Sequence, residues 1–250
     1  EIAASKCFFR SSSENSSPLA SNRIALMQGQ KALIAAFFSE EDSEPMSSPV
    51  YASIHSILFA AISRMKYIER WALMRNSRPE NLSEHAMEVG MLAHALCVIG
   101  NVRFGKNLDA NQAAVIGIYH DASEIITGDM PTPVKYYSDD IRQAYKKVEA
   151  IAEYRLLEKL PSDLQPTYEA IFRGSGKEDD LYMRKLVKAA DKLSALIKCM
   201  EEEKSGNEEF KTAKETIEKA VERLQEELPE VAVFVEEFLP SYGGTLDELS

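Results

Sequence analysis

From Ile54 onward, apolar residues return every three or four positions. Nowhere do they alternate with polar residues for long enough to make a sheet. Ile54, Ile57, Leu58, Ala61, Ile62, Met65 and Ile68 set the spacing of a first helix, which this pattern ends near Trp71. A second helix runs through His85, Val89, Leu92, Leu96 and Ile99, with Asn81 or Ser83 as its cap and Gly100-Asn101 as its end. Asp109 or Asn111 starts the helix that carries His120. Further helices follow from Asp139 to Leu160, from Pro161 to about Phe172, from Asp179 to about Glu203, from Phe210 to Leu228, and near Val231 to Phe238. The chain is therefore read as all-α, a compact multi-helix domain over residues 51–250, with no internal repeat.

Residues 1–50 differ. Ser11, Ser12, Ser13, Ser16, Ser17, Ser21, Ser39, Ser43, Ser47 and Ser48, with the run Glu40-Glu41-Asp42, give a linker-like composition. This stretch is expected to be a disordered extension holding at most a loose helix between Ile24 and Phe38. It opens at Glu1 and lacks the pattern of a signal peptide. No apolar run reaches the length of a membrane span, so no membrane partner is expected. Cys7, Cys97 and Cys199 are scattered and form no CxxC pair, which favours a reducing, cytoplasmic compartment. The balance of 29 basic against 40 acidic residues, a net charge of -11, argues against a broad grip on a nucleic acid polymer. A small anionic substrate stays open, because one metal ion and one or two cations reverse the field locally.

The chemistry concentrates at Tyr119-His120-Asp121-Ala122-Ser123-Glu124 and the loop Thr127-Gly128-Asp129-Met130-Pro131-Thr132-Pro133. Glu124 lies four residues past His120 and three past Asp121, so on a helix all three look toward one pocket. A His and two acids beside a helix-ending loop suit one side of a metal site. Of the remaining histidines, His85 sits in the first turn of its helix, where side chains often face a cleft. His94 reads as a core or surface histidine, and His55 carries no assigned role. Asp191 stands inside an apolar helical stripe, with Val187, Ser194 and Ala195 on the same face. It fits either a cation-compensated buried acid or an exposed acid paired with Lys188 or Lys192.

The order His85, then His120-Asp121, then Asp191 resembles the HD-domain superfamily of metal-dependent phosphohydrolases. Longer strings are more specific: Arg70-Trp71-Ala72-Leu73-Met74-Arg75-Asn76, Glu80-Asn81-Leu82-Ser83-Glu84-His85, Tyr119 to Glu124, and Thr127 to Tyr136. They resemble the bacterial 5′-deoxynucleotidases within that superfamily, over roughly residues 52–245.

That resemblance implies an HD-domain fold and a phosphomonoester hydrolase acting on deoxyribonucleoside 5′-monophosphates, in line, with metal-activated water. It implies one divalent metal per subunit, held by His85, His120, Asp121 and Asp191. Two imidazoles and two carboxylates favour Co²⁺ or Mn²⁺, with Zn²⁺ or Cu²⁺ also compatible, over Ca²⁺ or Mg²⁺. Glu124 matches the catalytic acid and Arg70 the residue that orients phosphate; Trp71 matches a pocket neighbour, although a lone tryptophan also reads as a core anchor. Asp129, Met130, Pro131 and Thr132 match the loop beside the deoxyribose, and His85 and Asp121 also border the substrate. Lys135 reads as a surface lysine or a phosphate attractor. A homodimer and a place in deoxynucleotide salvage follow from the same resemblance. The alternatives are an HD-domain phosphohydrolase acting on a ribonucleotide, cyclic nucleotide or triphosphate, and a catalytically silent helical module that keeps a structural metal.

Overall fold

A computed structural model describes residues 57–135, 137–248 and 250. The serine-rich stretch, His55, Cys7 and the first turn of the expected opening helix lie outside the described residues. Helix α1 (Ile57–Ile62) passes into a 3-10 turn (Ser63–Tyr67) and ends well before Trp71. Glu69–Arg70 (β1) instead pairs antiparallel with Glu80–Asn81 (β2), with Glu69 opposite Asn81 and Arg70 opposite Glu80. This two-residue ladder closes the 71–79 loop and is too short for any alternation to announce it.

Helix α2 (Leu82–Phe104) is the central element. Asn81 starts it with a reciprocal capping box: its Oδ1 accepts the Ser83 and Glu84 N–H groups at 3.0 and 3.1 Å, and Glu84 Oε2 accepts the Asn81 N–H at 3.2 Å. The helix runs past Gly100, its expected end, to a left-handed Gly105 at φ 64°. Gly100 serves packing instead, since a Cβ there would lie 2.7 Å from the buried Glu230 Oε1. By length and composition α2 could cross a membrane, against the expectation above. More than half of that window is buried inside the fold, which makes it the core helix of this domain.

Helix α3 (Ala110–Tyr119), capped by Asp109 through the Gln112 N–H, packs along α2. Their backbones nearly touch: a Cβ on Gly117 would lie 2.8 Å from Gly90 Cα. Two single turns follow, α4 (Glu124–Thr127) and α5 (Thr132–Lys135), then α6 (Asp139–Leu157) and α7 (Gln165–Arg173). Helix α8 (Glu178–Lys204) crosses α2 and α3, and α9 (Lys211–Glu227) and α10 (Pro229–Glu237) pack on α8 and α2. The main core joins Val89, Leu92 and Leu96 of α2, Ile116 of α3, Leu186, Leu193 and Ile197 of α8, Val221 of α9 and Phe234 of α10. Each such side chain, fully buried, contributes about 1.5–3 kcal/mol. This core fixes the N-terminal turn of α2, the C-terminal end of α3 and the middle of α8 side by side.

Candidate active site

Those three places carry the histidines and acids. His85 comes from the first turn of α2 and is fully buried. His120 is the C-cap of α3, so His120, Asp121 and Glu124 do not share one continuous helix. A tight turn over 120–123 separates α3 from α4, and its bend still turns His120 and Asp121 to the same side. Asp191 faces them from α8.

His85 Nε2 lies 3.3 Å from Asp191 Oδ1 and 3.6 Å from Asp121 Oδ2, and His120 Nε2 lies 3.0 Å from Asp121 Oδ2. None of these contacts has hydrogen-bond geometry: both Nε2 atoms are buried without a hydrogen-bond partner. The other ring nitrogens are engaged. His120 Nδ1 lies 2.7 Å from the Gly117 carbonyl oxygen, which can only accept, so Nδ1 carries the proton. His85 Nδ1 lies 2.9 Å from Ser194 Oγ. Orphaned buried nitrogens are costly unless something fills them. Ligand atoms of His85, His120 and Asp191 all fall within 4.8 Å of one another, a set able to hold one metal ion. Ligands each about 2.1 Å from a metal sit about 3–3.5 Å apart when adjacent, which the histidine–aspartate separations of 3.0, 3.3 and 3.6 Å match. Asp121 borders the same point.

The charges are strongly coupled. Burial and the Arg70 charge push the His85 imidazole down, keeping it in the neutral form that ligates metal. Burial acts likewise on His120, but Asp121 and Asp191 outweigh it and raise it. Burial would raise the carboxyls of Asp121 and Asp191; His120 holds the first below the ordinary range, and His85 with Lys192 holds the second well below it. Asp191 is partly buried rather than exposed, and Lys192 Nζ reaches its Oδ2 at 3.0 Å. Glu124 is the opposite case. Burial, with Asp121 and Asp129 nearby, pushes its carboxyl up to about 9, so it holds a proton at neutral pH.

Arg70 closes one side. Its Nη1 donates to Glu80 Oε2 at 2.7 Å across the β1–β2 ladder, and Trp71 Nε1 donates to the same oxygen at 3.2 Å. Burial opposes the Arg70 charge, but Glu80, Asp191, Asp121 and Asp129 together raise its pKa. Trp71 adopts φ 58°, a left-handed conformation rare for a bulky side chain, and packs against Phe210 at 5.4 Å between ring centroids. The 71–79 loop is tied to the end of α8. Glu202 accepts from the Ser77 N–H at 2.8 Å, from Asn207 Nδ2 at 2.7 Å and from Lys198, whose Nζ also donates to the Arg78 carbonyl at 2.6 Å.

Asp129 joins the charged group, raised by burial and lowered by Arg70. Met130 and Pro131 are half-buried, Pro131 opens α5 through its carbonyl, and Thr132 is exposed. Lys135 is more than a surface lysine: it pairs with Glu149 at 2.7 Å, lies over the Tyr145 ring and adds positive charge near Glu124. His94 is exposed, and Cys97 and Cys199 are buried free thiols. Glu80, Glu88, Ser194, Lys198 and Glu202 went unassigned in the sequence. Helical spacing carried a signal for two of them, since Glu88 follows His85 by three residues and Ser194 follows Asp191 by three.

The sequence and the fold have counterparts. A 5′-deoxynucleotidase from Shewanella oneidensis is 48% identical over 195 residues, covering 78% of this chain and 98% of that protein. One from Erwinia tasmaniensis is 47% identical over 197 residues, covering 79% and 98%. The 5′-deoxynucleotidase YfbR of Escherichia coli O1:K1 is 45% identical over 195 residues, covering 78% and 96%. Among solved structures, an HD-domain phosphohydrolase from Listeria innocua matches with a TM-score of 0.64 at 21% identity, covering 75% of this chain and 89% of that one. A protein described as a metal-dependent phosphohydrolase from Magnetospirillum magnetotacticum matches with a TM-score of 0.53 at 20% identity, covering 76% and 94%. At such identities these two speak for the HD-domain fold alone. The family model of YfbR-like 5′-deoxynucleotidases matches residues 57–242, which include every site residue described above, and the chain belongs to that family.

Proposed function

We propose that this chain is a metal-dependent 5′-deoxynucleotidase, hydrolysing deoxyribonucleoside 5′-monophosphates to deoxynucleosides and phosphate. The observation that carries this is the pair of buried, unpartnered Nε2 atoms of His85 and His120, set between Asp121 and Asp191 and beside Arg70 and Glu124. Family membership and three relatives named 5′-deoxynucleotidase support the substrate class.

In this reading His85, His120, Asp121 and Asp191 hold one divalent ion, with Co²⁺ or Mn²⁺ favoured and Zn²⁺ or Cu²⁺ compatible. When bound, such an ion supplies Lewis acidity at the phosphate and lowers the pKa of water. Arg70 directs the guanidinium edge not used by Glu80 toward phosphate oxygens. Glu124, held protonated by burial and its acidic neighbours, gives its proton to the departing 5′ oxygen. Asp129, whose carboxyl feels the Arg70 charge, takes the 3′-hydroxyl, and the loop through Met130, Pro131 and Thr132 takes the rejection of a 2′-hydroxyl by clash. Trp71 holds the loop in register, its indole N–H sharing the Glu80 oxygen that braces Arg70.

The active unit spans residues 51–250, and removing residues 1–50 should leave turnover unchanged. The enzyme works in the cytoplasm, where the buried free thiols of Cys97 and Cys199 suit a reducing medium. It acts as a homodimer. An apolar face that supports this lies on α2, where Met87, Met91, Val98 and Val102 form an exposed stripe at helical spacing. Phosphate release from dAMP by chelator-stripped protein tests the activity: Co²⁺ or Mn²⁺ should restore it, and release without any metal would contradict it.

A further inference from the structure

One face of α8 grips both edges of the His85 ring. Asp191 Oδ1 stands 3.3 Å from Nε2, and Ser194 Oγ, three residues further along, stands 2.9 Å from Nδ1. The Ser194 hydroxyl also meets Glu88 Oε2 at 2.5 Å, and Glu88 lies three residues past His85 on α2. His85 and Ser194 are fully buried; Glu88 is partly buried and borders a cleft of about 190 Å³.

The proton positions in this chain follow from what each atom can do. A carboxylate oxygen only accepts, so the single hydroxyl hydrogen of Ser194 is committed to Glu88. Ser194 Oγ then offers a lone pair to His85 Nδ1, and the contact at 2.9 Å requires the proton to sit on Nδ1. Nε2 is left with its lone pair facing the cluster of His120, Asp121 and Asp191. Without Glu88 the hydroxyl is free to turn and donate to Nδ1. The ring proton then moves to Nε2, which can no longer bind a metal.

We propose that Glu88 and Ser194 are positioning residues that fix His85 in the Nδ1–H tautomer and so keep Nε2 open as a metal ligand. This rests on the assignment of His85 as a ligand in the function proposed above. His120 reaches the same state directly, through the Gly117 carbonyl. One imidazole is thus set by the backbone and the other by a side-chain relay, which makes only the second removable by side-chain substitution. Partners of this kind orient the ring and raise its basicity, and losing one weakens metal affinity about 10–100-fold.

The test uses chelator-stripped, ¹⁵N-labelled full-length chain and the long-range ¹H–¹⁵N signals of its histidine rings, with His85 assigned by His85→Gln. The wild-type chain should show His85 as Nδ1–H. Ser194→Ala and, separately, Glu88→Ala should shift it toward Nε2–H and weaken Co²⁺ binding, measured by calorimetry, by about 10–100-fold. The metal-free melting temperature of each variant, taken alongside, should not track that loss. An Nε2–H ring in the wild-type chain would overturn the proposal. So would variants with unchanged tautomer and unchanged Co²⁺ affinity. A wild-type chain that binds no Co²⁺ overturns the ligand assignment instead, a result distinct from the tautomer shift, which tests the relay directly.

Discussion

The imidazole rings of His85 and His120 lie 5.2 Å apart between centroids, one from the start of α2 and one from the end of α3, each with a buried and unpartnered Nε2. Two unpartnered imidazole nitrogens beside two carboxylates ask for a cation. His85→Ala or His120→Ala should abolish stoichiometric Co²⁺ binding while leaving the helical circular-dichroism signal intact. Because Asp121 and Asp191 raise His120, metal must displace a proton there, so affinity should be weaker at pH 6 than at pH 8. Equal affinity at both values would count against His120 as a ligand.

Arg70 is braced through one nitrogen by Glu80, and the proposed function gives the rest of its fork to phosphate. Arg70→Lys keeps the charge and loses the fork. A hydrogen bond to a charged group is worth about 1.5–3 kcal/mol. The substitution should therefore lower kcat/KM for dAMP by roughly 10- to 100-fold. Glu80→Gln should act in the same direction, since Trp71 and Arg70 share its oxygen. Steady-state kinetics of both variants decide this.

Glu124 gives a prediction in two parts. In the proton-donor role proposed for it, its change to Gln should lower kcat by about 10²- to 10⁴-fold. Its stability effect has the opposite sign. The folded carboxyl is raised to about 9 from an ordinary 4.5, so the folded chain holds a proton that the unfolded chain releases. No penalty exists below the ordinary value, and stability falls as pH rises from there toward about 9. Metal-free Glu124→Gln should then melt higher than the wild type at pH 8 and close to it at pH 4. For a chain this size, each kcal/mol is worth about 2–4 °C. Thermal melts at the two pH values check the sign.

The anchor under the 71–79 loop depends on Glu202. Burial would raise its carboxyl, but Lys198, Asn207 and the Ser77 N–H hold it down to about 2. Its contribution to stability is full above the ordinary value of 4.5 and disappears as pH falls through about 2. Glu202→Ala strands Lys198 and should cost about 3–5 kcal/mol, as for a broken buried pair. It should also raise KM by loosening the loop that carries Arg70 and Trp71. Urea denaturation and substrate saturation curves measure the two effects.

The helices were legible because each buries one stripe, and the periodicity of Val89, Leu92 and Leu96, or of Leu186, Leu193 and Ile197, records that burial. His120 and Asp121 stood out in the sequence as a pair closing an apolar stretch, whereas Asp191 fitted two readings from its own neighbours, and only the family resemblance grouped it with His85 and the pair. The β1–β2 ladder was not legible, since two residues per strand carry no period. Nor was the continuation of α2 past Gly100: a glycine reads as a stop, and only the fold reveals that Glu230 fills the space a Cβ would take. Glu80 and Glu202 were hidden for a third reason. Glu80 meets Trp71 and Arg70 nine and ten residues away across a loop, and Glu202, whose pairing with Lys198 four residues before it resembles any helix-surface pair, also holds the Ser77 N–H 125 residues away.

Phosphate release from dAMP and AMP, side by side on chelator-stripped protein given Co²⁺, Mn²⁺, Mg²⁺ or no metal, decides whether the chain is a deoxy-specific, metal-dependent phosphatase. Release from dAMP and not from AMP, restored by Co²⁺ or Mn²⁺, is expected. Equal release from both nucleotides would contradict the sugar discrimination assigned to the Asp129 loop, and no release from dAMP under any metal would contradict the enzyme itself.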